Sequence, residues 1–259
     1  MADGLLAGRR VLLQGVANER SLCWGIAQAL HAAGAEICMT YQNDTYRERV
    51  EPLAARLPGT FTAPLDLQRD GEISALAEML HERWGKLDVV VHGAAFAKQE
   101  ELRGDFVETS RDGFLLAMDV SAYSLVALAR ATRPLLRAAG GGSLICLTYI
   151  GSTRVAANYN VMGVAKAALE ASVRYLANDL GPDGIRVNAI SAGPVRTLAS
   201  SAVRGVREHI NEVRDRAPLR HQTEQAEIGD AAVFLASPLA RGTTGQILFV
   251  DSGHHILGA

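Results

Sequence analysis

Short apolar runs alternate with longer segments of helical periodicity along the whole chain. The short runs are continuous rather than alternating, which is typical of strands that are buried on both faces of a parallel sheet. They predict strands at residues 10–14, 36–41, 60–66, 87–93, 143–149, 185–191 and 247–251. The segments between them predict helices at residues 22–34, 45–57, 71–85, 111–136, 159–180 and 225–236.

This alternation predicts a single α/β domain, a Rossmann fold over residues 1–259, with a seven-stranded parallel sheet and helices on both faces. The 259 residues suffice for one large core, and no linker rich in Pro, Gly or Ser divides them. Ligands of open parallel sheets bind beyond the carboxyl ends of the strands. We therefore expect the functional residues where the predicted strands end.

The composition argues against several classes of function. A formal net charge of -2, from 26 basic and 28 acidic residues, indicates no general attraction to nucleic acid. No uninterrupted apolar run approaches the ~18 residues that span a bilayer, and the N-terminus lacks the pattern of a signal peptide. The three cysteines are separated, and only the adjacent His254 and His255 have the spacing of metal ligands. We expect a cytoplasmic protein with free thiols, no metal and no membrane partner.

The segment after the first predicted strand, GVANERSLCWGIA, is a candidate phosphate-binding loop. Gly15 ends the strand, and Ser21 and Gly25 follow as the next helix opens. Glycine lets the backbone approach a pyrophosphate closely, and a helix N-terminus offers unpaired N–H groups. The spacing differs from the usual G-x-G-x-x-G, so the position after strand one carries the assignment. A simple helix N-cap is the alternative role for Ser21.

Three further strand ends suit parts of a dinucleotide. Gln42 ends the second strand, where an acid usually holds the ribose hydroxyls, and no arginine follows at once for a 2′-phosphate, which favours NADH over NADPH. Asp66 ends the third strand and could accept from an adenine amino group, with a helix N-cap as the alternative. Gly93, Ala94 and Ala95 end the fourth strand, where small residues would let a ribose lie against the backbone. Packing explains these small residues nearly as well.

The stretch TYIGSTRVAANYNVMGVAKAALE holds the candidate catalytic residues. Most short-chain reductases carry Y-x3-K on the fifth helix and a serine at the end of strand five. Counted back from Lys166, the tyrosine position is Met162 and the serine position is Tyr149. A phenol reappears at Tyr159, about one helical turn earlier, so Tyr159 and Lys166 are predicted to share a helix face.

This displacement fits reduction of an enoyl thioester better than reduction of a ketone. The phenol of a ketone reductase protonates the oxygen next to the carbon that receives the hydride. In an enoyl thioester the hydride goes to the β-carbon, and negative charge develops farther away, on the thioester oxygen. Tyr159 would donate to that oxygen, Lys166 would hold the nicotinamide ribose and lend positive charge, and Tyr149 would orient the substrate.

Structural roles for these residues are the alternatives, since tyrosine packs well at strand ends and lysine can snorkel to solvent. The helix around Lys166 is apolar around most of its circumference, which indicates burial, and a buried lysine needs a partner. A 3-ketoacyl or other carbonyl reductase on this scaffold is a second possible function, although Met162 and Tyr149 in the usual catalytic positions speak against it. A cofactor-sensing protein without chemistry is a third, although both the Tyr159 phenol and Lys166 are retained.

The sequence resembles the NADH-dependent enoyl-acyl carrier protein reductases of bacterial fatty acid synthesis, a divergent short-chain dehydrogenase/reductase family. The resemblance runs end to end, through GVA…S…GIA, TYQND, VHGAAFA, YNVMGVAKA, VRYLA and RVNAISAGPVRTLA. It implies reduction of enoyl-acyl carrier protein by NADH, and a homotetramer packed through helices 111–136 and 159–180. It also implies Tyr159, Lys166 and Tyr149 as catalytic residues. The implied cofactor contacts are Gly15, Ser21, Leu22, Gln42, Asp66, Leu67, Ala94, Lys166, Val195 and Thr197.

Two positions depart from the family pattern. Ala95 stands where many members have glycine, and its methyl group is expected to narrow the pocket beside the nicotinamide and to weaken diphenyl-ether inhibitors. Gln14 ends the first strand where threonine is frequent, and we assign it no role.

The segment after the sixth predicted strand is expected to form a substrate lid over about residues 194–216. The predicted acyl pocket consists of Ala95, Tyr149, Tyr159, Met162, Ala199 and Val203. Residues 196–220 include six arginines and only three acidic residues. This surplus of positive charge would attract an acidic acyl carrier protein. A solvated helical face is the alternative role for Arg214 and Arg216.

Overall fold

The computed structural model of the chain describes residues 4–195, 197 and 206–258. Seven strands in this part of the chain form one parallel sheet in the order β3-β2-β1-β4-β5-β6-β7. The predicted fold class is therefore confirmed. The strands are β1 (Arg10–Gln14), β2 (Glu36–Tyr41), β3 (Phe61–Pro64), β4 (Val89–His92), β5 (Gly142–Thr148), β6 (Ile185–Ala192) and β7 (Ile247–Val250).

The helices follow the predicted alternation, with one addition. They are α1 (Leu22–Ala32), α2 (Asp44–Ala54), α3 (Asp70–Trp84), α4 (Arg111–Met118), α5 (Ser124–Ala138), α6 (Asn160–Leu180), α7 (Val206–Arg216) and α8 (Gln225–Ala236). The addition is α7, which lies inside the segment expected to form the lid. Its sequence VREHINEVRDR is mostly polar, so the hydrophobic pattern carried little signal for it.

Two apolar cores cover the two faces of the sheet. Along β1, Val11 and Leu13 face the core built with α1, α2 and α8, whereas Leu12 faces the core built with α3, α5 and α6. This alternation is the period of two that a strand imposes on its side chains. Because both faces are covered, strands such as β4, VVVH, are buried at every position.

The predicted helix over residues 111–136 is a continuous helical stretch from Arg111 to Ala138 that contains a π-helical segment, Asp119–Tyr123. By length and composition it is the one helix among the described residues that could cross a membrane, although charged residues interrupt its apolar run. Such helices also occur in the cores of soluble proteins, and 44% of its most apolar window is buried inside the protein. The face that carries Leu125, Leu128 and Leu136 packs into the core beneath the sheet.

The strand order places the functional segments together. It reverses between β1 and β4, which are neighbours in the sheet although β2 and β3 come between them in sequence. A crevice opens at such a reversal, beyond the carboxyl ends of the strands. The segments that follow β1, β4 and β5 meet at this edge.

Candidate active site

The loop after β1 brings two backbone segments into close approach. Gly15 has a φ of 114°, a left-handed conformation that favours glycine, and a Cβ there would lie 2.9 Å from the backbone of Gly93. Ser21 occupies the N-cap position of α1, but its hydroxyl accepts from the backbone N–H groups of Ala17 and Asn18, at 2.9 and 3.0 Å. The hydroxyl thus shapes the loop rather than capping the helix.

The N-terminus of α1 suits a phosphate group. Within the described structure no side chain caps it, and its first turn contains no acidic residue. The backbone N–H groups and the positive end of the helix dipole are therefore free of a competing carboxylate. Leu22, predicted as a cofactor contact, is the first residue of this helix and is half-buried.

The ends of β2 and β3 bring Gln42 and Asp66 together. The Gln42 amide donates to Asp66 Oδ1 at 3.4 Å, and the same oxygen accepts from the Gln68 backbone N–H at 3.1 Å. Arg69 holds the N-cap position of α3, so the alternative role of Asp66 as that cap is wrong. Gln42 is exposed and Asp66 is half-buried, so this pair lies at the open end of the crevice.

The segment after β4 is held by two side chains to which the sequence analysis assigned no role. The Gly93 N–H donates to both the backbone oxygen and the side-chain oxygen of Gln14, at 3.0 and 3.2 Å. The Ser121 hydroxyl accepts from the Phe96 N–H at 3.0 Å and donates to the Phe96 carbonyl at 3.2 Å. Between these bonds Ala94 is buried and Ala95 is exposed.

Ser121 lies in the π-helical segment, where the extra residue per turn changes which side chains face the loop. Such segments are frequent at functional sites. Ser124, the first residue of α5, orders His92 at the end of β4, because its hydroxyl lies 2.7 Å from His92 Nε2 and donates to the carbonyl of Val120 in the π-helical segment. Serines inside an apolar helix were the available sequence signal for these roles.

The two tyrosines lie in contact at the end of β5. Their ring centroids are 5.1 Å apart and the rings meet edge to face, at 66°. A Cβ on Gly151 would lie 2.6 Å from the Tyr159 ring and 3.2 Å from the Tyr149 ring. A Cβ on Gly163 would lie 2.8 Å from the Gly151 carbonyl oxygen. Two glycines that the sequence analysis left without a role thus make room for the tyrosine pair.

Tyr159 precedes the helix rather than starting it. The helix begins at Asn160, and Tyr159 is its N-cap residue, with a φ of -123° and a ψ of -9°. The prediction that Tyr159 is a helical residue is therefore wrong by one position. The hydrogen bond from the Gly163 N–H to the Tyr159 carbonyl nevertheless ties the residue to the first turn.

Lys166 is buried, with 4% of its surface exposed. Its Nζ donates to the carbonyl oxygen of Leu147 at 2.7 Å. Leu147 is the second-to-last residue of β5. The expectation that this lysine is buried and has a partner is met, and the alternative of a solvent-exposed lysine is wrong. Its ammonium group therefore lies at the end of the strand that leads to Tyr149.

Burial changes the acid–base properties of all three residues. It lowers the pKa of Lys166 to about 8, although Cys146, Cys23 and Glu170 oppose this shift. Burial, helped by Asp251, raises the pKa of Tyr149 to about 12. Burial also raises the pKa of Tyr159 well above its usual range, with smaller contributions from Tyr149 and Glu170. Both tyrosines are therefore neutral hydrogen-bond donors at neutral pH.

Met162 belongs to a small apolar cluster beside the tyrosines. It shares this cluster with four other buried residues, and Tyr159 packs against the cluster. The buried members are Leu102, Ala117, Val161, Met162 and Ala165. Of the remaining predicted pocket residues, Ala199 and Val203 lie outside the described residues. After β6, the predicted cofactor contacts Val195 and Thr197 are both half-buried.

The described part of the arginine-rich segment contains local pairs. Arg214 Nε lies 2.8 Å from Asp215 Oδ1, and Arg220 donates to the Asp215 backbone oxygen. Arg214 is exposed and paired with its neighbour, which agrees with the alternative of a solvated helical face, and its role in attracting a carrier protein stays a prediction. Arg196 and Arg204 lie outside the described residues, as does the side chain of Arg207.

A protein-family model matches the chain over residues 15–255, and its description is enoyl-(acyl carrier protein) reductase. A Bacillus cereus protein named enoyl-acyl-carrier-protein reductase (NADH) FabI is 52% identical over 98% of this chain and 99% of its own length. A Nostoc protein of the same name is 51% identical over 98% of each chain.

Solved structures of high similarity cover almost the whole chain. The Bacillus cereus enoyl-acyl carrier protein reductase, solved with NADP+ and indole naphthyridinone, has a TM-score of 0.96 and 51% identity, over 98% of this chain and 99% of that one. The Anaplasma phagocytophilum reductase, solved in complex with NAD, has a TM-score of 0.95 and 46% identity, over 99% of this chain and 97% of that one.

Proposed function

This chain belongs to the enoyl-(acyl carrier protein) reductase family, and from that premise we propose that it reduces the trans-2 double bond of enoyl thioesters with NADH, using Tyr159, Lys166 and Tyr149. This reaction is the last step of the fatty acid elongation cycle. One observation carries the assignment of the residues: two neutral phenols in contact, and a buried lysine, lie at the carboxyl end of β5.

Tyr159 stabilises the charge that develops during the reaction. Bound NADH supplies the hydride, which goes to the β-carbon of the substrate. The Tyr159 phenol donates a hydrogen bond to the thioester oxygen as that oxygen becomes negative. Because its pKa lies well above its usual range, the phenol is protonated and can donate this hydrogen bond when the substrate is bound. Tyr149, packed against the Tyr159 ring, limits where the thioester can lie.

Lys166 and the strand ends hold the cofactor. The Lys166 ammonium binds the nicotinamide ribose hydroxyls, and its charge favours the developing negative oxygen nearby. Gly15, Ser21 and Leu22 place the loop and the α1 N-terminus against the pyrophosphate. Gln42, Asp66 and Leu67 receive the adenosine, and Ala94, Val195 and Thr197 line the nicotinamide. The names of the Bacillus cereus and Nostoc relatives include NADH, which supports NADH as the cofactor.

The acyl chain lies along the apolar cluster around Met162. Ala95 borders this space on the nicotinamide side, where its methyl group narrows the pocket. The proposed lid spans residues 194–216, and its predicted acyl-pocket residues Ala199 and Val203 lie outside the described residues. The arginines of this segment attract the acidic carrier protein that delivers the substrate.

The enzyme acts as a cytoplasmic homotetramer. Apolar side chains on the long helix and on α6 are exposed in the single chain, among them Leu115, Tyr123, Val164 and Tyr175. Exposed apolar residues on two helices of one protein favour packing against further copies. The apolar stretch from Arg111 to Ala138 is then covered by protein rather than by lipid.

Oxidation of NADH with crotonyl and acetoacetyl thioesters, measured side by side, tests the reaction. We expect turnover of the crotonyl thioester only. Preferential reduction of the acetoacetyl thioester would instead identify a carbonyl reductase.

Two variants test the residues. Tyr159→Phe is expected to lower kcat by about 1,000-fold with little change in NADH affinity, because only the donor is lost. Lys166→Ala is expected to lower kcat and also to weaken NADH binding, measured by fluorescence titration. Full activity in either variant would remove that residue from the mechanism.

A further inference from the structure

Glu170 is a buried acid beside the candidate active site. The proposed mechanism gives this residue no direct role. It lies on α6, one turn after Lys166, and only 6% of its surface is exposed. Residues four apart on a helix lie on the same face. Acidic side chains are seldom buried without a partner, so the environment of this one carries information about its role.

Its partner is the last residue of β5, directly before Tyr149. The Thr148 hydroxyl donates to Glu170 Oε1 at 2.7 Å, and Lys166 Nζ donates to the Leu147 carbonyl at 2.7 Å. Leu147, Thr148 and Tyr149 are consecutive. One turn of α6 is therefore bonded twice to the end of β5, and both bonds lie directly before Tyr149.

The other titratable groups that bear on Lys166 cannot balance its charge. They are Cys146 on β5, Cys23 on α1 and His92 on β4. Burial raises the pKa of each thiol to about 12 and lowers the pKa of His92 to about 3, with Lys166 contributing to the latter. All three are neutral near pH 8, so Glu170 is the one acid in this group of four.

We propose that Glu170, held by Thr148, is a positioning residue that supplies the counter-charge for Lys166 and so keeps the lysine cationic when it binds the cofactor ribose. The inference rests on the proposed role of Lys166. A buried ammonium group without an opposite charge favours its neutral form, which has lost the charge that the reaction uses. Thr148 fixes the carboxylate on the face of the helix that carries Lys166.

The pH dependence of kcat/KM for NADH tests this role, because it reports ionisations of the free enzyme. Replacement of Glu170 by glutamine keeps the shape and removes the charge, so Lys166 loses its proton at lower pH. We expect Glu170→Gln to move the alkaline limb of the profile towards acid by about one pH unit. A purely structural role would lower activity equally at all pH values, and that result would overturn the proposal.

Two further variants separate charge from folding. Glu170→Asp retains the charge and is expected to keep the alkaline limb within a few tenths of a unit of the wild-type position, even if its thermal stability falls. Asp179→Asn removes a carboxylate from the exposed face of the same helix and is the matched control, with no shift expected. A limb that moves equally in Asp179→Asn and Glu170→Gln would contradict a specific counter-charge.

Lys166→Ala distinguishes failure of this inference from failure of the proposed function. If that variant loses activity while Glu170→Gln keeps the wild-type alkaline limb, Lys166 is catalytic and Glu170 is not its counter-charge. If Lys166→Ala retains activity and NADH affinity, the proposed mechanism itself is wrong.

Discussion

The proposed catalytic end of the crevice is more tightly constrained than its proposed adenine-binding end. At the end of β5, Tyr159 is packed against Tyr149, and Lys166 is buried and bonded to the strand. At the ends of β2 and β3, Gln42 and Asp66 meet near solvent through one contact of 3.4 Å. A group that must meet a developing charge needs a fixed position, whereas a group that binds a ribose can adjust. Substitutions should therefore lower activity most at the end of β5 and least at the ends of β2 and β3.

Among residues to which we assign no contact with substrate or cofactor, the largest effect is expected at a glycine, Gly151. Gly151→Ala places a Cβ 2.6 Å from the Tyr159 ring, so the ring must move. Displacement of a catalytic group by about 1 Å costs roughly 100-fold in rate, and we expect kcat to fall by that factor. Steady-state kinetics with a crotonyl thioester measures the change.

Gly181→Ala is the matched control for this substitution. A Cβ at Gly181 meets no atom within 4 Å among the described residues, so wild-type kinetics are expected. Wild-type kinetics in Gly151→Ala as well would show that the tyrosine pair tolerates displacement, and the contrast between the two ends would fail.

A second large effect is expected on kcat/KM for NADH when the pH is raised. Burial lowers the pKa of Lys166 to about 8, so the lysine is charged below that pH and neutral above it. If the charged form binds the cofactor, kcat/KM for NADH should fall about tenfold per unit above pH 8. The pKa values of Tyr149 and Cys146 are about 12, so neither group should contribute to this limb. A profile that stays flat to pH 10 would show that the charge of Lys166 is not required.

The fold and the placement of the candidate residues were predictable because both follow from simple patterns. Apolar strands and helical periodicity predicted the observed order of elements, apart from the mostly polar α7. The spacing placed Tyr149 at the end of the fifth strand and predicted that Tyr159 and Lys166 share a helix face. In the structure the two tyrosine rings are in contact and Lys166 bonds the end of β5. Lys166 was expected to be buried because its helix is apolar on most sides, and it is.

The supporting residues could not be predicted because their roles depend on contacts distant in sequence. Gln14 bonds the N–H of Gly93, and Ser121 bonds the backbone of Phe96, 25 residues away. From the sequence alone, a serine in an apolar helix indicates only a weak helix former. Its role becomes visible only with the π-helical segment that turns it towards the loop. Glu170 and Thr148, 22 residues apart, are likewise ordinary in their own segments.

Ser121 lies between the two ends, and its loss should have an intermediate effect. Ser121→Ala removes both bonds to Phe96 and frees the segment that carries Ala94 and Ala95. If loss of these bonds weakens NADH binding by about 1 kcal/mol, the KM for NADH rises roughly fivefold, and we expect a smaller change in kcat.

Ser172→Ala is the control for Ser121→Ala. The Ser172 hydroxyl bonds the Ala168 carbonyl inside α6 and does not reach the loop, so the KM for NADH should not change. An equal rise in both variants would indicate that the loss of any helical serine has this effect and that the Ser121 bond has no special role.

The smallest effect is expected at the adenine end. Gln42→Ala removes an exposed amide whose bond to Asp66 is long, and water can take the place of this amide at the Asp66 carboxylate. We expect about a threefold rise in KM for NADH and no change in kcat, which corresponds to one weak hydrogen bond. Gln246→Ala, an exposed glutamine whose amide bonds only locally to Thr244 in the described structure, is the control. If Gln42→Ala lowered kcat as much as Gly151→Ala does, the adenine end would also fix the reacting geometry, and constraint would extend along the whole crevice rather than being concentrated around the tyrosines.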